Sequence, residues 1–545
     1  MKSKDDFFYI TTPIYYVNDI PHIGHAYSTV SADIIARFKR LSGFNVLFLT
    51  GTDEHGLKIE KEALYRGISP KELADNVHIK FKELFNSLDI SYDRFIRTTD
   101  EDHVKTVQKV FSELISKGDI YLSDYEGWYC TPCETFLTEK SLLNGNCPEC
   151  GRPVEKIKEK SYFLRLKKYE EKLLKYIDDN PDFIKPPFRK NEVVSFIKEG
   201  LNDLSVSRTS FTWGIPVCEN NEHVIYVWFD ALINYLTGAG YLYYRKDEKH
   251  KKENDLIDVD ADDIAESATA PSNNNFINYF GNLHHIIGKD ILKFHTVYWP
   301  IMLLALDIPL PKTVFAHGWW LMDGKKMSKS LGNVVNPVEV INTYGEDPLR
   351  YYLMREVTFG LDGDFTLKNF ITRYNSELAN DLGNLVSRLL AMLRKYRNGV
   401  VPMSSEINTE LIANALTLQD SLDKRYENFE FSKILEDAFL FINKVNKYIN
   451  DSAPWKIDVN NETENKFLDS VLRSSIIAVY YISYFIYPFM PGTSDKINFM
   501  LNAKFFSDGG RFIVPEDIFK EGFKISDESV MLFPRLNISG SKNQR

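Results

Sequence analysis

FFYITTPIYYVNDIPHIGHAYSTVSADIIARFKRLSGFNVLFLT, residues 7–50, holds three elements in succession. Phe7–Thr12 is short, aromatic and β-branched, which predicts a strand, and Pro13 and Asn18 predict a loop after it. From about His22 to Leu41 the pattern is helical, closed by Gly43. Asn45–Thr50 is a nearly continuous apolar run, as in a strand covered on both faces. Strand, helix and buried strand in that order predict a parallel, doubly wound α/β sheet.

Outward from this unit the character shifts. From about Asp119 the chain becomes short Cys- and Gly-containing pieces followed by mixed charge up to Thr212. Strand signals return at Val224–Phe229, Leu283–Ile287 and Thr313–Ala316, so an insertion of about ninety residues splits the sheet. Residues 246–275 are polar and acidic and predict a mobile surface loop. After Thr366 strand signals end. Leu367, Phe370, Ile371, Tyr374, Leu378, Leu382, Leu385, Val386 and Leu389 recur at steps of three and four, and similar segments follow, predicting an α-bundle. Ser474–Ser494 carries no charge but contains Pro488 and Pro491, and reads as a buried bundle helix rather than a membrane span.

The 545 residues carry 66 basic and 76 acidic side chains, a net −10, which excludes a generally basic nucleic-acid binder. The stretch from Thr366 onward is balanced, 22 against 22. Five cysteines are too few for a disulfide scaffold, and the N-terminus lacks the apolar core of a secretory signal. The chain reads as a soluble, cytoplasmic protein.

Three constellations carry chemistry. In Pro21-His22-Ile23-Gly24-His25 two imidazoles open a helix just past a strand, where unpaired N–H groups and the helix dipole favour an anion. Phosphate oxygens are one reading, and surface histidines or metal ligands the other. Asp323–Asn333 includes Lys326-Met327-Ser328-Lys329-Ser330, a predicted exposed loop whose lysines can converge on a polyphosphate or merely be solvated. Cys130, Cys133, Cys147 and Cys150 form a Cys-x2-Cys-x13-Cys-x2-Cys array. Four thiolates make a closed tetrahedral site for one structural Zn2+, and a redox dithiol would need a thioredoxin-like βαβ context that is absent. Cys218 is left over as an inert thiol.

The histidine and lysine motifs, in this order about three hundred residues apart, resemble the two signatures of class I aminoacyl-tRNA synthetases. Thr11–Asn18, Thr50-Gly-Thr-Asp-Glu-His-Gly56, Val227–Leu232, Ile287–Ile291 and Phe294–Trp299 narrow the resemblance to the methionyl-tRNA synthetases, over Phe8 to Arg535. The resemblance implies a Rossmann-type catalytic domain in two halves (1–118 and 213–318) split by a zinc-knuckle insertion (119–212). A stem-contact region with the lysine loop (319–365) and an α-helical anticodon-binding domain (366–545) would follow.

Family roles fall on particular residues. Methionine would be held by Ile14, Tyr16, Asp53, Trp228, Ala231, Leu232, Tyr235, Ile291, His295 and Trp299, the last three spaced at fours on one helix face. ATP would meet His22, Gly24, His25, Gly288, Asp290, Trp320, Lys326, Met327, Ser328 and Lys329. His22, His25, Lys326, Lys329 and Arg208 would act on the reacting phosphates, and Asn384, Arg388 and Trp455 would read a CAU anticodon. Read without the resemblance, Asp53 is a turn residue, Arg208 a surface charge, Trp455 a core aromatic, and Asn384 and Arg388 part of a solvated face. The implied partners are ATP with Mg2+, L-methionine, and initiator and elongator tRNA(Met). A monomer is implied because the chain stops soon after Arg535, without the appended domain that makes some members dimeric. Two other classes fit part of the pattern. A metabolic nucleotidylyltransferase would share the histidines but is normally compact and lacks the cysteine insert and the bundle. A zinc protein binding RNA leaves the lysine loop and pocket unexplained.

Overall fold

The computed structural model describes residues 6–130, 135–137, 139, 142–148, 150–242, 275–322, 324–327, 335–404, 406–505 and 513–537. The acidic segment lies almost wholly outside them. Contacts divide the chain into two units, one holding nearly everything up to His317 and the other beginning at Gly318.

The first unit is built on a seven-stranded sheet in which every pairing is parallel. Strand β1 (Phe7–Thr11) runs from phenylalanines into threonines and is followed by the two-residue β2 (Tyr15–Tyr16). Helix α1 (Ile23–Leu41) then leads to β3 (Asn45–Asp53) and β4 (Arg94–Arg97). Gly43, at φ 84°, turns the chain between α1 and β3, a conformation that costs a side-chain-bearing residue energy. Helix α2 (Glu101–Ser116) packs behind. The sheet resumes with β8 (Ile184–Lys185), β9 (Leu283–Gly288) and β10 (Thr313–His317), after an insertion sheet of β5 (Ile120–Cys130), β6 (Thr135–Leu137) and β7 (Glu155–Leu164). Strand order is β2–β3–β1–β9–β10–β8, with β4 also on β3.

β1 therefore lies between β3 and β9, a strand whose Leu283 pairs with Tyr9 from far along the chain. Open α/β sheets bind ligands at the carboxyl ends of the strands beside such a reversal. Thr11, Asp53, Gly288 and His317 end the strands there.

Val224–Phe229 departs from its strand reading. Val224 and Ile225 end an antiparallel strand (Asn220–Ile225) outside the parallel sheet, and helix α3 (Val227–Gly238) starts two residues later. Nearly all of α3 is buried, so its sequence shows no polar face, and a short apolar run does not distinguish a buried strand from a buried helix.

The second unit opens with a hairpin (Trp320–Met322 and Lys325–Lys326) paired to Gly363–Asp364. Helices α4 (Glu346–Arg355), α5 (Asn384–Arg397), α6 (Phe431–Ser452) and α7 (Glu462–Ile486) follow. The periodic stretch from Leu367 is not one regular helix: a π-helical segment, Tyr374–Gly383, separates Leu367–Arg373 from α5. Ser474–Ile486 lies buried in α7 among its neighbours, and among the described residues no helix is long and apolar enough to cross a membrane.

Candidate active site

The two histidines at the mouth of α1 are fixed by backbone donors. The N–H of His22 donates to His25 Nδ1 at 3.0 Å, and the N–H of Gly24 donates to His22 Nδ1 at 3.0 Å. A ring nitrogen that accepts carries no proton, so each neutral imidazole keeps its hydrogen on Nε2. The rings stack with centroids 3.9 Å apart. Burial, then the neighbouring His22 ring and the Lys58 charge, hold the His25 pKa well below the ordinary value, so at neutral pH His25 is an uncharged N–H donor. A Cβ on Gly24 would fall 2.9 Å from His22 Cε1. The glycine thus makes room for the His22 ring and for its own N–H to cap it.

A second cluster is drawn from β2, the end of β3, α3 and the turns that follow β9. Tyr16 pairs with Asp53 across β2 and β3, and its ring stands edge-on to Trp228 at 6.4 Å. Trp228 stacks on Phe294 at 3.7 Å. Ile14 and Ile291 pack against the surrounding apolar core, to which the buried Ala231 and Leu232 belong or lie adjacent. The Asp53 carboxyl is 3% exposed at the end of β3.

Deeper in, the protons of the polar groups are settled by their partners. His295 Nδ1 lies 3.1 Å from the Ile291 carbonyl, which only accepts, so Nδ1 carries the hydrogen and Nε2 accepts from the Tyr235 hydroxyl at 2.8 Å. The Trp299 indole donates to His285 Nε2 at 3.1 Å, leaving His285 Nδ1 to donate to Thr11 Oγ1 at 2.7 Å. Burial pushes His295 down to about 4 and His285 well below the ordinary value, and pushes Tyr235 up. All three are uncharged near pH 7. Their polar atoms are spent on one another, and the ring faces that remain suit a thioether, which gains about 0.3–1.5 kcal/mol per sulfur–aromatic contact.

Sequence reasoning missed Phe294 and His285. His284 and His285 are adjacent in a buried strand, and only the rarity of histidine in such a run signalled a role. The regular helix expected for Ile291, His295 and Trp299 is also corrected. A 3₁₀ turn (Lys289–Ile291) and a π-helical turn (Phe294–Tyr298) precede Trp299–Ala305, and π turns occur frequently at functional sites. The wider turn still brings His295 and Trp299 against Tyr235, at 5.7 and 5.6 Å between centroids.

Gly288 ends β9 opposite His317, and a Cβ there would lie 2.6 Å from Asp290 Oδ1. Arg208 is turned inward rather than lying at the surface. At 1% exposure, its Nη1 donates to the Ser207 carbonyl at 2.6 Å and to Ser205 Oγ at 2.9 Å, with the Tyr226 ring 4.2 Å beneath. In the second unit Trp320 is buried against Tyr352 and Phe365. Lys326 lies on the hairpin opposite Leu321, and Met327 follows it. Ser328 and Lys329 lie outside the described residues.

The sulfurs of Cys130, Cys147 and Cys150 all lie within 4.8 Å of one another, with Cys130 and Cys150 3.5 Å apart. Metal–sulfur bonds of about 2.3 Å in a tetrahedron put sulfurs about 3.8 Å apart, so this cluster has the size of a metal site. A tight turn, with the Gly151 N–H donating to the Cys147 carbonyl, presents the second pair. Cys133 lies outside the described residues, and Cys218 is exposed.

On the bundle, Arg388 is not simply solvated. Its guanidinium donates to Asn450 Oδ1 at 2.8 Å and Asn446 Oδ1 at 3.3 Å on α6, while Asn384 is exposed one turn earlier. Burial lowers the Arg388 pKa. Trp455, three residues past the end of α6, is 47% exposed rather than core.

A family model described as class I tRNA synthetases (M) matches residues 8–156 and 152–390. Methionine–tRNA ligase of Clostridium tetani is 49% identical over 535 residues, 97% of this chain and 79% of that protein. The Clostridium perfringens protein of that name is 50% identical over 501 residues, 91% of this chain and 73% of its own. Among solved structures, Mycobacterium tuberculosis methionyl-tRNA synthetase in complex with methionyl-adenylate superposes with a TM-score of 0.87 at 39% identity, covering 97% of this chain and 99% of that one. With the family model on most of the chain and relatives of this identity, the chain belongs to the methionyl-tRNA synthetases of class I.

Proposed function

We propose that this chain activates L-methionine with ATP and transfers it to initiator and elongator tRNA(Met). The observation that carries the reading is a set of three groups in the first unit: two uncharged imidazole N–H donors at the mouth of α1, a buried carboxylate at the end of β3, and an uncharged aromatic recess on α3 and the turn after β9. Asp53 takes the methionine ammonium, assisted by the Ile14 backbone. Tyr16, Trp228, Ala231, Leu232, Tyr235, Ile291, His295 and Trp299 enclose the side chain. A long apolar substrate of this kind is selected by volume and shape.

The methionine carboxylate then attacks the α-phosphorus of ATP in line, the bond to pyrophosphate breaks, and methionyl-adenylate forms. His22 and His25 donate Nε2–H to phosphate oxygens as charge develops, a stabilisation that needs no proton transfer. Lys326 and Lys329 neutralise the departing pyrophosphate, and Met327 and Ser328 between them also contact ATP. Gly288 and Asp290 receive the ribose, and the Trp320 backbone the adenine. Arg208, inward in this conformation, assists at the phosphates by reorienting. In the second step the terminal ribose hydroxyl of tRNA attacks the mixed anhydride and AMP leaves. Positioning and charge stabilisation supply the rate, since no covalent enzyme intermediate forms.

Mg2+ accompanies the ATP phosphates, and Cys130, Cys133, Cys147 and Cys150 hold one structural Zn2+. Trp455 stacks an anticodon base while Asn384 and Arg388 hydrogen-bond its neighbours. The reaction belongs in the cytoplasm, where charged tRNA is consumed. Exchange of labelled pyrophosphate into ATP tests the reading: it should require methionine, and absence of exchange with every amino acid would overturn it.

A further inference from the structure

Asp230 takes no part in the steps above, yet it is fully buried between two histidines. Its Oδ2 accepts from His55 Nδ1 and its Oδ1 from His103 Nε2, each at 2.7 Å. Asp230 and His103 are 0% exposed and His55 6%. Burial alone would raise the carboxyl, but the two imidazoles outweigh it and Asp230 stays below the ordinary carboxylate range, an anion. His103 Nδ1 lies 3.0 Å from Thr237 Oγ1, and the Trp213 ring stands edge-on to His55.

The placement gives the cluster a task. Asp230 sits in the first turn of α3, between Trp228 and Ala231, the helix that also carries Leu232 and Tyr235. His55 follows Asp53 by two residues. Between them Glu54, 0% exposed, accepts from Arg97 at 2.7 and 2.9 Å, from Thr52 at 2.7 Å and from Thr99 at 2.6 Å. The strand end that carries Asp53 is therefore held through Glu54 on one side and tied to α3 through His55. Charge-assisted hydrogen bonds of this length are short and geometrically demanding.

We propose that Asp230 is a positioning residue for the amino acid: through His55 it sets the separation between Asp53 and the α3 side chains, and so the distance between the bound ammonium and the far end of the substrate. The proposal rests on the methionine reading above, and misplacement of a binding group by an ångström is enough to be felt in kinetics.

Pyrophosphate exchange measured on the full chain tests it, with wild-type activity first establishing the methionine requirement, so that failure of that reading is seen separately. Asp230→Asn, nearly isosteric, should raise KM for methionine about tenfold or more while KM for ATP and kcat stay within about twofold. His55→Ala should do the same, and the double variant should be no worse than the worse single one, as for residues acting in one contact. An unchanged methionine KM in folded protein, an equal rise in both KM values, or additive effects would overturn the proposal. If Asp230→Asn does not fold, His55→Ala decides the matter by the same criteria.

Discussion

Under the proposed function, the recess around Tyr235 and the face around Trp455 solve opposite problems. In the recess the ring nitrogens of His285, His295 and Trp299 and the Tyr235 hydroxyl are already bonded inside the protein, and these four residues are at most 1% exposed. On the bundle, Trp455 and Asn384 stand in solvent, and only the guanidinium of Arg388 is braced, by two asparagines. A small flexible molecule loses little by entering a rigid, dry site and gains from the absence of reorganisation. A polynucleotide brings its own unstacked bases, and exposed rings and amides suffice to meet them. The comparison predicts that damage in the recess spreads to folding and activation together, whereas damage on the bundle is confined to tRNA.

Among substitutions assayed at neutral pH, the one expected to reach furthest is at Tyr235. Tyr235→Phe removes the hydroxyl that donates to His295 Nε2 and leaves a buried acceptor unpaired, at a cost of about 1–3 kcal/mol. Methionine-dependent exchange should fall and the Tm should drop with it; a normal Tm alongside lost exchange would break the link between the network and folding. Next is Trp455→Ala, which should weaken charging of tRNA by the equivalent of about 1–3 kcal/mol while exchange stays nearly intact. Equal losses in both assays would erase the contrast between the regions.

The acid response sharpens the same contrast. The folded pKa of His295 lies near 4 and that of His284 near 3, while unfolded histidines titrate near 6.5. Between those values the unfolded chain binds more protons, so stability is full above about pH 6.5 and is lost as pH falls toward 4, by on the order of 3 kcal/mol per group. Thermal melts from pH 8 to pH 4.5 should show the loss, and its abolition in His295→Gln would be incomplete because His284 and His285 remain. A flat Tm across that range would contradict neutral burial. Smallest for exchange is Cys147→Ser, which should lower bound zinc by elemental analysis; normal zinc content would refute the thiolate site.

Much of this site was legible in residues 7–50 because the elements there are chemically distinct: strands whose apolar runs signal burial on both faces, and a helix whose mouth carries two histidines and a glycine. The cysteine array was legible because sulfur spacing is a local constraint. The rest required three dimensions. Buried all round, α3 carries no period to read. Arg94-Phe-Ile-Arg97 joins the sheet although its ends are charged, because Arg94 reaches Asp102 and Arg97 reaches Glu54. The π turn at Phe294–Tyr298 obeys no 3.6-residue rule, and the partners of His55 and His285 come from segments 175 and 274 residues away.

Heating the protein with and without methionine, in the absence of ATP and tRNA, tests the central claim most directly. A ligand that binds only the folded chain raises its Tm. Methionine should raise the Tm of the unaltered chain and of Trp455→Ala alike, and should have no effect on Trp228→Ala. A full shift in Trp228→Ala, or none in Trp455→Ala, would contradict a methionine site in the first unit.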